Sequence, residues 1–234
     1  MRTWMAILWA VLAVSSSTQI ARAEFCGAMG QTAKVVATDL VIPGDGGILV
    51  ASVPGNGPMD GDAADQPTWT FRTGGVSSAP RRTTLAPGLV VYHARQDGNV
   101  TLVDKDDQQQ ASAFVTRRPR ARLPAPVVSW IVRDPERSDV MLALVGEPPI
   151  EAVAIVVVGK NGKARSWDFI DHDSVHQRVF GPRGCETQAA GTEPSQAGEH
   201  VTVFFVDLYG RPSPHSKEIT IASKTPSQRR LSDD

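Results

Sequence analysis

The stretch from Val201 to Ala222 constrains the fold most, because it predicts two extended segments joined by a turn. Every residue of the first segment, 201–206, is β-branched or aromatic, and the second segment reads Ile-Thr-Ile-Ala. Residues of these types favour strands. The connection between the segments is rich in Gly, Pro and Ser, which are turn residues. The stretch therefore predicts a β-hairpin.

The rest of the chain follows the same pattern of short apolar runs separated by turn signals. Hydrophobic residues make up 41% of the 234 residues, which is enough for one or two cores, and there are 17 prolines and 20 glycines. Strands spaced by about ten residues, with no helical segment for a parallel crossover, predict antiparallel sandwiches. The formal net charge of -1 excludes a global electrostatic attraction to nucleic acid or to an anionic membrane.

Several short motifs predict individual turns. Asp45-Gly46-Gly47 lies between two apolar runs and predicts a first hairpin, and Asn161-Gly162 predicts the clearest hairpin of the chain. The loop 55–66 carries three aspartates, but it has no glutamate placed to close a calcium site, so we expect a solvated loop. Asn99-Val100-Thr101 is a sequon for N-glycosylation, and its use depends on the organism.

A segment rich in arginine and proline divides the chain. Residues 117–126 contain four arginines and three prolines, a composition that predicts a stiff, solvated linker. A site for nucleic acid is the alternative, but no aromatic residues interleave and acidic residues precede the segment, so we expect no nucleic-acid partner. The predicted organisation is a β-sandwich over 24–118, an Arg/Pro linker over 119–126, a second sandwich over 127–223 and a disordered tail over 224–234.

The second half resembles a fibronectin type III module. The strand at 201–206, the connection Asp207 to Ser216 and the closing strand are similar to the last hairpin of that family, within a resemblance that extends from Pro124 to Ser223. It implies that Trp130, on an early strand, packs between the two sheets. The expected fold class is all-β, with two antiparallel immunoglobulin/fibronectin-III-like β-sandwich domains after a cleaved signal peptide.

The N-terminus predicts export. Arg2 precedes an apolar run over 4–14, and Ala21-Arg22-Ala23 places small residues at both positions that a signal peptidase reads, so we expect residues 1–23 to be removed. The run is too short to span roughly 30 Å of hydrocarbon, and no other run is longer. The sequence therefore predicts a periplasmic or secreted protein without a membrane span after cleavage.

The chain has two cysteines, and an extracytoplasmic location changes how they are interpreted. Thiols outside the cytoplasm are usually oxidised, and an even number permits complete pairing. We expect a disulfide between Cys26 and Cys185, which would connect the N-terminus to the second half. The alternative is two free thiols. A catalytic pair is not indicated, because the sequence has no Cys-x-x-Cys motif.

One cluster of side chains indicates possible metal chemistry. Asp171, His172, Asp173 and His176 lie within six residues, but a stable zinc or copper site needs three or four convergent ligands. In an extended segment the two histidines would lie roughly 13 Å apart. A polar surface loop is the alternative interpretation.

The sequence contains no nucleophile elbow and no phosphate-binding loop, so we expect neither enzymatic activity nor a cofactor. The first functional hypothesis is a secreted or periplasmic, non-enzymatic β-sandwich protein that binds or supports a protein or cell-envelope partner. The second is an extracytoplasmic metal-binding or enzymatic protein that uses the cluster over 171–176. The sequence leaves the oligomeric state open.

Overall fold

The described part of the chain is entirely β-structure. The computed structural model describes residues 31–37, 40–54, 70–73, 76–94, 97–103, 109–116, 120–133, 140–179 and 195–223. Within these ranges there are sixteen strands and no helix. The predicted signal peptide, both cysteines, the loop 55–66 and the predicted tail lie outside the described residues.

The first nine strands form two sheets. They are β1 (Gln31–Val35), β2 (Leu40–Pro43), β3 (Ile48–Pro54), β4 (Thr70–Thr73), β5 (Val76–Ser78), β6 (Arg81–Ala86), β7 (Leu89–His93), β8 (Gly98–Val103) and β9 (Gln109–Thr116). The sheet with strand order β2-β9-β8-β4-β5 is named the outer N-terminal sheet, and the sheet with order β1-β3-β7-β6 the inner N-terminal sheet.

The remaining seven strands form two further sheets. They are β10 (Val128–Arg133), β11 (Val140–Leu144), β12 (Ala152–Gly159), β13 (Ala164–Phe169), β14 (His176–Val179), β15 (His200–Asp207) and β16 (Ile219–Thr220). The order β13-β12-β15-β16 defines the inner C-terminal sheet, and β10-β11-β14 the outer C-terminal sheet. All pairings are antiparallel except that of β2 with β9.

Three apolar layers join the four sheets into one stack. The first layer lies between the two N-terminal sheets, and the third lies between the two C-terminal sheets. The middle layer joins the two inner sheets, with residues of β3, β6 and β7 on one side and residues of β12 and β15 on the other. Each inner sheet is therefore covered on both faces.

The central inner strands β3, β7 and β12 supply buried side chains to both faces because their sequences are apolar at nearly every position. Along β12, Ile155 and Val157 face the outer C-terminal sheet, whereas Val156 and Val158 face the inner N-terminal sheet. The same division occurs in β3, where Ile48 and Val50 pack on the opposite side from Leu49. Successive side chains of a strand point to opposite faces, so a continuous apolar run supplies two cores.

The hairpin predicted at Asn161-Gly162 is confirmed. Strands β12 and β13 pair on either side of it, and Gly162 has a φ of 75°, a conformation that glycine adopts without a Cβ clash. The Asn161 side chain accepts a hydrogen bond from the backbone N–H of Lys163 at 3.0 Å. A type of turn that the dipeptide favours therefore joins two neighbouring strands.

The hairpin predicted at Asp45-Gly46-Gly47 is wrong. The residues do form a turn, in which Gly46 N–H donates to Pro43 at 2.8 Å, but the strands on either side belong to different sheets. Strand β2 pairs with β9 in parallel, and β3 pairs with β1 and β7. The chain crosses between sheets here because glycine permits a close approach: a Cβ on Gly47 would lie 2.5 Å from the carbonyl oxygen of Tyr92.

The predicted hairpin over 201–222 forms in a modified way. Strands β15 and β16 pair only through His200 with Thr220 and Val201 with Ile219. Between them the chain returns beside β15, and two serine hydroxyl groups replace strand hydrogen bonds. Ser213 Oγ accepts the N–H of Phe205 at 3.0 Å, and Ser216 Oγ accepts the N–H of Val203 at 2.9 Å. The prolines of this segment lack N–H groups, so a regular strand cannot form there.

Trp130 does not lie in the core, so that prediction is wrong. A β-bulge between Val128 and Trp130 shifts the register of β10 against β11, and Val128 packs against the core while Trp130 pairs with Ala143 and is only half-buried. The core position belongs to Ile131, which is almost fully buried. One extra residue in a strand reverses which face each later side chain occupies.

The linker is packed more closely than its composition predicts. Leu123 is buried in the layer between the two C-terminal sheets, and the carbonyl groups of Arg120 and Ala121 accept hydrogen bonds from Arg211. Leu123 therefore departs from the expectation of a solvated segment, whereas Arg120 and Ala121 are exposed. The exact domain limits stay a prediction.

Candidate functional site

The Asp/His cluster lies at the turn between β13 and β14. Asp171, His172 and Asp173 are exposed, and Asp171 Oδ1 accepts the N–H of Asp173 at 3.1 Å. The buried side chain of Gln177 holds the turn. Its Nε2 donates to the carbonyl groups of Asp171 and Ser174 at 2.7 and 2.6 Å, and its Oε1 accepts the N–H of Asp171 at 2.9 Å. The turn is an ordered surface feature.

His176 packs on an aromatic side chain of the outer C-terminal sheet. It lies at the start of β14, and its ring packs on Trp130 across the outer C-terminal sheet, with ring centroids 5.6 Å apart. In the described part of the chain, no three His, Cys, Asp or Glu side chains converge in a way that could hold a metal ion. Metal binding at this turn stays a prediction, as does the disulfide between Cys26 and Cys185.

The junction between the two inner sheets joins the two halves of the described structure. Leu49, Leu89 and Val91 of the N-terminal side pack against Val156 and Phe204 of the C-terminal side. These are large apolar side chains with little or no exposure, so they exclude water from the contact. Burial of this kind is the main favourable term in protein association.

Polar contacts at the rim of the junction fix the positions of the two sides. Trp167 of β13 donates its indole N–H to the carbonyl oxygen of Pro87 at 2.6 Å, and its ring contacts that of Phe169 edge to face at 5.5 Å. The N–H of Gly47 donates to the carbonyl oxygen of Tyr209 at 2.8 Å. Directional bonds therefore join the β6–β7 turn and the β2–β3 turn to the C-terminal half.

Arg211 connects three segments at this rim. Its side chain is 4% exposed, and its Nε donates to Asp207 Oδ2 at 2.8 Å, where the acceptor is 3% exposed. Its Nη1 donates to Asp45 Oδ1 at 3.2 Å and to the carbonyl oxygen of Arg120 at 3.1 Å, and its Nη2 donates to that of Ala121 at 3.0 Å. One guanidinium thus binds the turn after β2, the linker and the turn after β15. These contacts are named the Arg211 network.

The charges in the Arg211 network favour the ionised form of Asp45. Partial burial raises the pKa of Asp45, but hydrogen bonds and positive charge from Arg122 and Arg211 outweigh this, so the pKa lies below its ordinary value of 3.8. Arg120 extends the network by packing over the Tyr209 ring, 5.0 Å from its centroid, and by donating to the Tyr209 hydroxyl. The positive charges of Arg122 and Arg211 therefore compensate the negative charge of Asp45 at this rim.

Glycine allows the turns of the two halves to approach closely. Gly210 has a φ of 69°, and a Cβ at this position would lie 2.5 Å from a methyl group of Val91. A Cβ on Gly46 would lie 2.9 Å from the Cβ of Tyr209. Any larger side chain at these two positions would therefore push the halves apart.

A second feature is a set of exposed apolar side chains at one end of the C-terminal sheets. Val127, Val145 and Ile150 are 62%, 64% and 83% exposed, and Val145 N–H donates to the carbonyl oxygen of Val127 at 2.8 Å. Strand pairing places the β11–β12 loop, the turn over 170–175 and the turn over 207–211 at this same end. It is named the loop end.

Sequence reasoning missed the junction and the Arg211 network. The signal for the junction was present, since β3, β7 and β12 are apolar at nearly every position and do not alternate with polar residues. No local pattern identifies the partners of Arg211, because Asp45 lies 166 residues away in the chain.

No protein-family model matches the chain, and no curated protein matches it. Similar solved structures include the BSP domain of a biofilm associated protein, with 15% identity and a TM-score of 0.30 over 85% of this chain and 30% of that one. A beta-1,2-glucanase from Parabacteroides distasonis has 14% identity and a TM-score of 0.30 over 72% and 27%.

The fibronectin(III)-like modules of Clostridium thermocellum CbhA have 12% identity and a TM-score of 0.25 over 82% of this chain and 95% of theirs. This chain spans less than a third of the first two structures. Similarity at this level carries no conclusion about function. Within the residues that the structure describes, no helix has the length and hydropathy needed to span a bilayer.

Proposed function

We propose that the protein is an extracytoplasmic, non-enzymatic binding or structural module, in which two immunoglobulin/fibronectin-III-like sandwiches act as one rigid body on a protein or cell-envelope partner. The buried layer between the inner sheets is the observation that carries this proposal. Two sandwiches joined only by a linker would move independently, whereas a large apolar contact fixes their orientation.

The Arg211 network supports the same proposal at the level of geometry. A guanidinium offers five donors in a fixed planar arrangement, so it defines the relative positions of the groups that it binds. In this chain those groups come from both halves and from the linker. Rigid presentation of loops is useful to a binding module because little conformational entropy is lost when a partner binds.

We assign the partner contact to the loop end. Exposed large apolar side chains grouped on one surface mark interaction sites more often than scattered ones do. Ile150 follows Pro148 and Pro149, of which the first is buried, so the loop that presents it is restrained. A protein or polymer with an apolar contact surface fits Ile150, Val127 and Val145.

Cross-linking in the cells that produce the protein tests this function. The exported protein should cross-link to one major envelope or secreted component, and Ile150→Glu should reduce the yield about tenfold, since a charge would have to be desolvated in the contact. Val76→Glu is the matched control, because Val76 is 69% exposed on β5, away from the loop end. It should leave the yield unchanged.

Two results would contradict this proposal. Equal yields for Ile150→Glu and the unmodified protein would exclude the loop end as the contact. A purified protein that contains stoichiometric zinc or copper, loses it on replacement of His172 and His176 together, and converts a small-molecule substrate would overturn the non-enzymatic function.

A further inference from the structure

The outer face of the outer N-terminal sheet has an apolar row beside an exposed asparagine. Val41 of β2 and Phe114 of β9 are directly paired, and each is 48% exposed. Asn99 of β8 is the partner of Phe114 on the other side, and it is also exposed. Directly paired residues on one face have Cβ atoms about 4.5–5.5 Å apart, so the three side chains form a continuous row.

The asparagine in this row is the first residue of a glycosylation sequon. Asn99-Val100-Thr101 has the required hydroxyl residue two positions later, and Val100 is buried on the opposite face of the strand. Thr101 therefore lies on the same outer face as Asn99.

We propose that Asn99 carries an N-linked glycan whose first sugar packs on Phe114 and Val41. This inference rests on the proposed extracytoplasmic location, because the donor and the transferase act outside the cytoplasm. A pyranose ring has an apolar face of C–H groups, which the negative face of an aromatic ring attracts. The sugar would cover apolar side chains that are otherwise exposed to water, while its hydroxyl groups remain hydrated.

The chemistry is a glycosyl transfer from a lipid-linked oligosaccharide pyrophosphate. The amide nitrogen of Asn99 forms a bond to C1 of the first sugar and loses one of its two protons. The bond between C1 and the pyrophosphate oxygen breaks, the lipid pyrophosphate leaves with the electron pair, and the proton released from the amide passes to water. No oxidant or reductant is needed.

The position of β8 determines when the transfer takes place. Thr101 is paired on one side with Ser112 of β9 and on the other with Arg72 of β4, so its backbone is inaccessible in the folded sheet. A transferase that reads Asn99 and Thr101 together needs an unpaired segment. The glycan is therefore added before the outer N-terminal sheet forms.

Mass spectrometry of the protein purified from the cells that naturally produce it tests the proposal. The peptide that contains Asn99 should carry a hexose- or N-acetylhexosamine-based mass, which Thr101→Ser retains and which Asn99→Gln and Thr101→Ala abolish. An exported protein with unmodified Asn99 overturns the glycan and leaves the proposed function intact. A protein found only in the cytoplasmic fraction overturns the export on which both depend.

A thermal comparison tests the packing of the sugar on the apolar row. The glycosylated protein should melt about 2–4 °C above Asn99→Gln, a shift typical of a small stabilisation in a protein of this size. In the Phe114→Ala background, Asn99 should remain glycosylated while this difference disappears. Val76→Ala, on an exposed position of the same sheet, should preserve it. A difference that persists without Phe114 would show that the sugar does not pack there.

Discussion

The inner and outer C-terminal sheets share one core, but their second faces differ. In β12 seven of the eight positions are buried, whereas in β14 buried and exposed positions alternate. The alternating strand has a solvent face, and the continuous one has a second packed face against the N-terminal half. An antiparallel strand without polar alternation therefore indicates a layer beyond its own sandwich.

The largest expected effect comes from removing Arg211, the buried cation at the rim of the junction. Arg211→Met should lower the free energy of unfolding by about 3–5 kcal/mol, because it leaves the buried Asp207 without its charged partner. Arg122→Met is the control, since Arg122 is exposed and also binds Asp45, and it should lower that free energy by less than about 1 kcal/mol. Denaturant titration measures both. Equal effects would mean that burial does not distinguish the two arginines.

Substitutions at two phenylalanines compare a position between the inner sheets with an exposed position on the outer N-terminal sheet. Phe204→Ala should lower the free energy of unfolding by about 3 kcal/mol, because a large side chain is lost between the inner sheets. Phe114→Ala, in a protein without the glycan, should lower it by less than about 1 kcal/mol, since half of this side chain is already exposed. Midpoints and slopes from guanidinium unfolding give the values. A larger effect at Phe114 would reverse the comparison.

Substitutions at two glycines distinguish the effect of a close contact from the effect of backbone conformation alone. Gly210→Ala should destabilise the protein by about 2–3 kcal/mol, because it adds a clash with Val91 to the strain of a positive φ. Gly162→Ala shares the positive φ but has open space around it, and it should destabilise by about 1 kcal/mol. Thermal unfolding of both variants isolates the contribution of the contact. Indistinguishable melting temperatures would argue against a tight approach at Gly210.

The smallest expected effect is on the pH dependence of the free energy of unfolding. The pKa of Asp45 is lowered in the folded protein, so its ion pairs stabilise the fold above pH 3.8 and are lost as the pH falls below that value towards the folded-state pKa. Asp45→Asn should therefore flatten the dependence of stability on pH below about 4 and leave it unchanged near pH 7. Unfolding curves recorded below pH 4 and near pH 7 measure the slope. A steeper slope in the variant would contradict the direction of the shift.

The sequence predicted the all-β class, because the strand composition and the turn residues agree along the whole chain. The hairpin at Asn161-Gly162 was predictable, since its turn is local and needs only the dipeptide. The structure at Asp45-Gly46-Gly47 was not predictable, because the same residues suit both a hairpin turn and a crossing between sheets. Only the distant pairing of β2 with β9 distinguishes the crossing from the hairpin.

The position of Trp130 illustrates a second limit. The alternation of β10 predicts one face for Val128 and Trp130, but the bulge between them places the two side chains on opposite faces. The metal site at the Asp/His cluster stays a prediction, and the structure places three of its members in one exposed turn. Its fourth member, His176, packs on Trp130, a contact that sequence proximity does not reveal.

The double burial of the inner sheets has a consequence for biosynthesis. Strands β1 to β9 are complete when Thr116 has been made, but the partners of Leu49 and Val91 on β12 and β15 follow only when synthesis has reached Asp207. At ordinary elongation rates the interval is on the order of ten seconds. Throughout this time the first half presents a bare apolar surface, which is a site for aggregation or for a chaperone. Cleavage within 119–126 would create the same surface on both fragments.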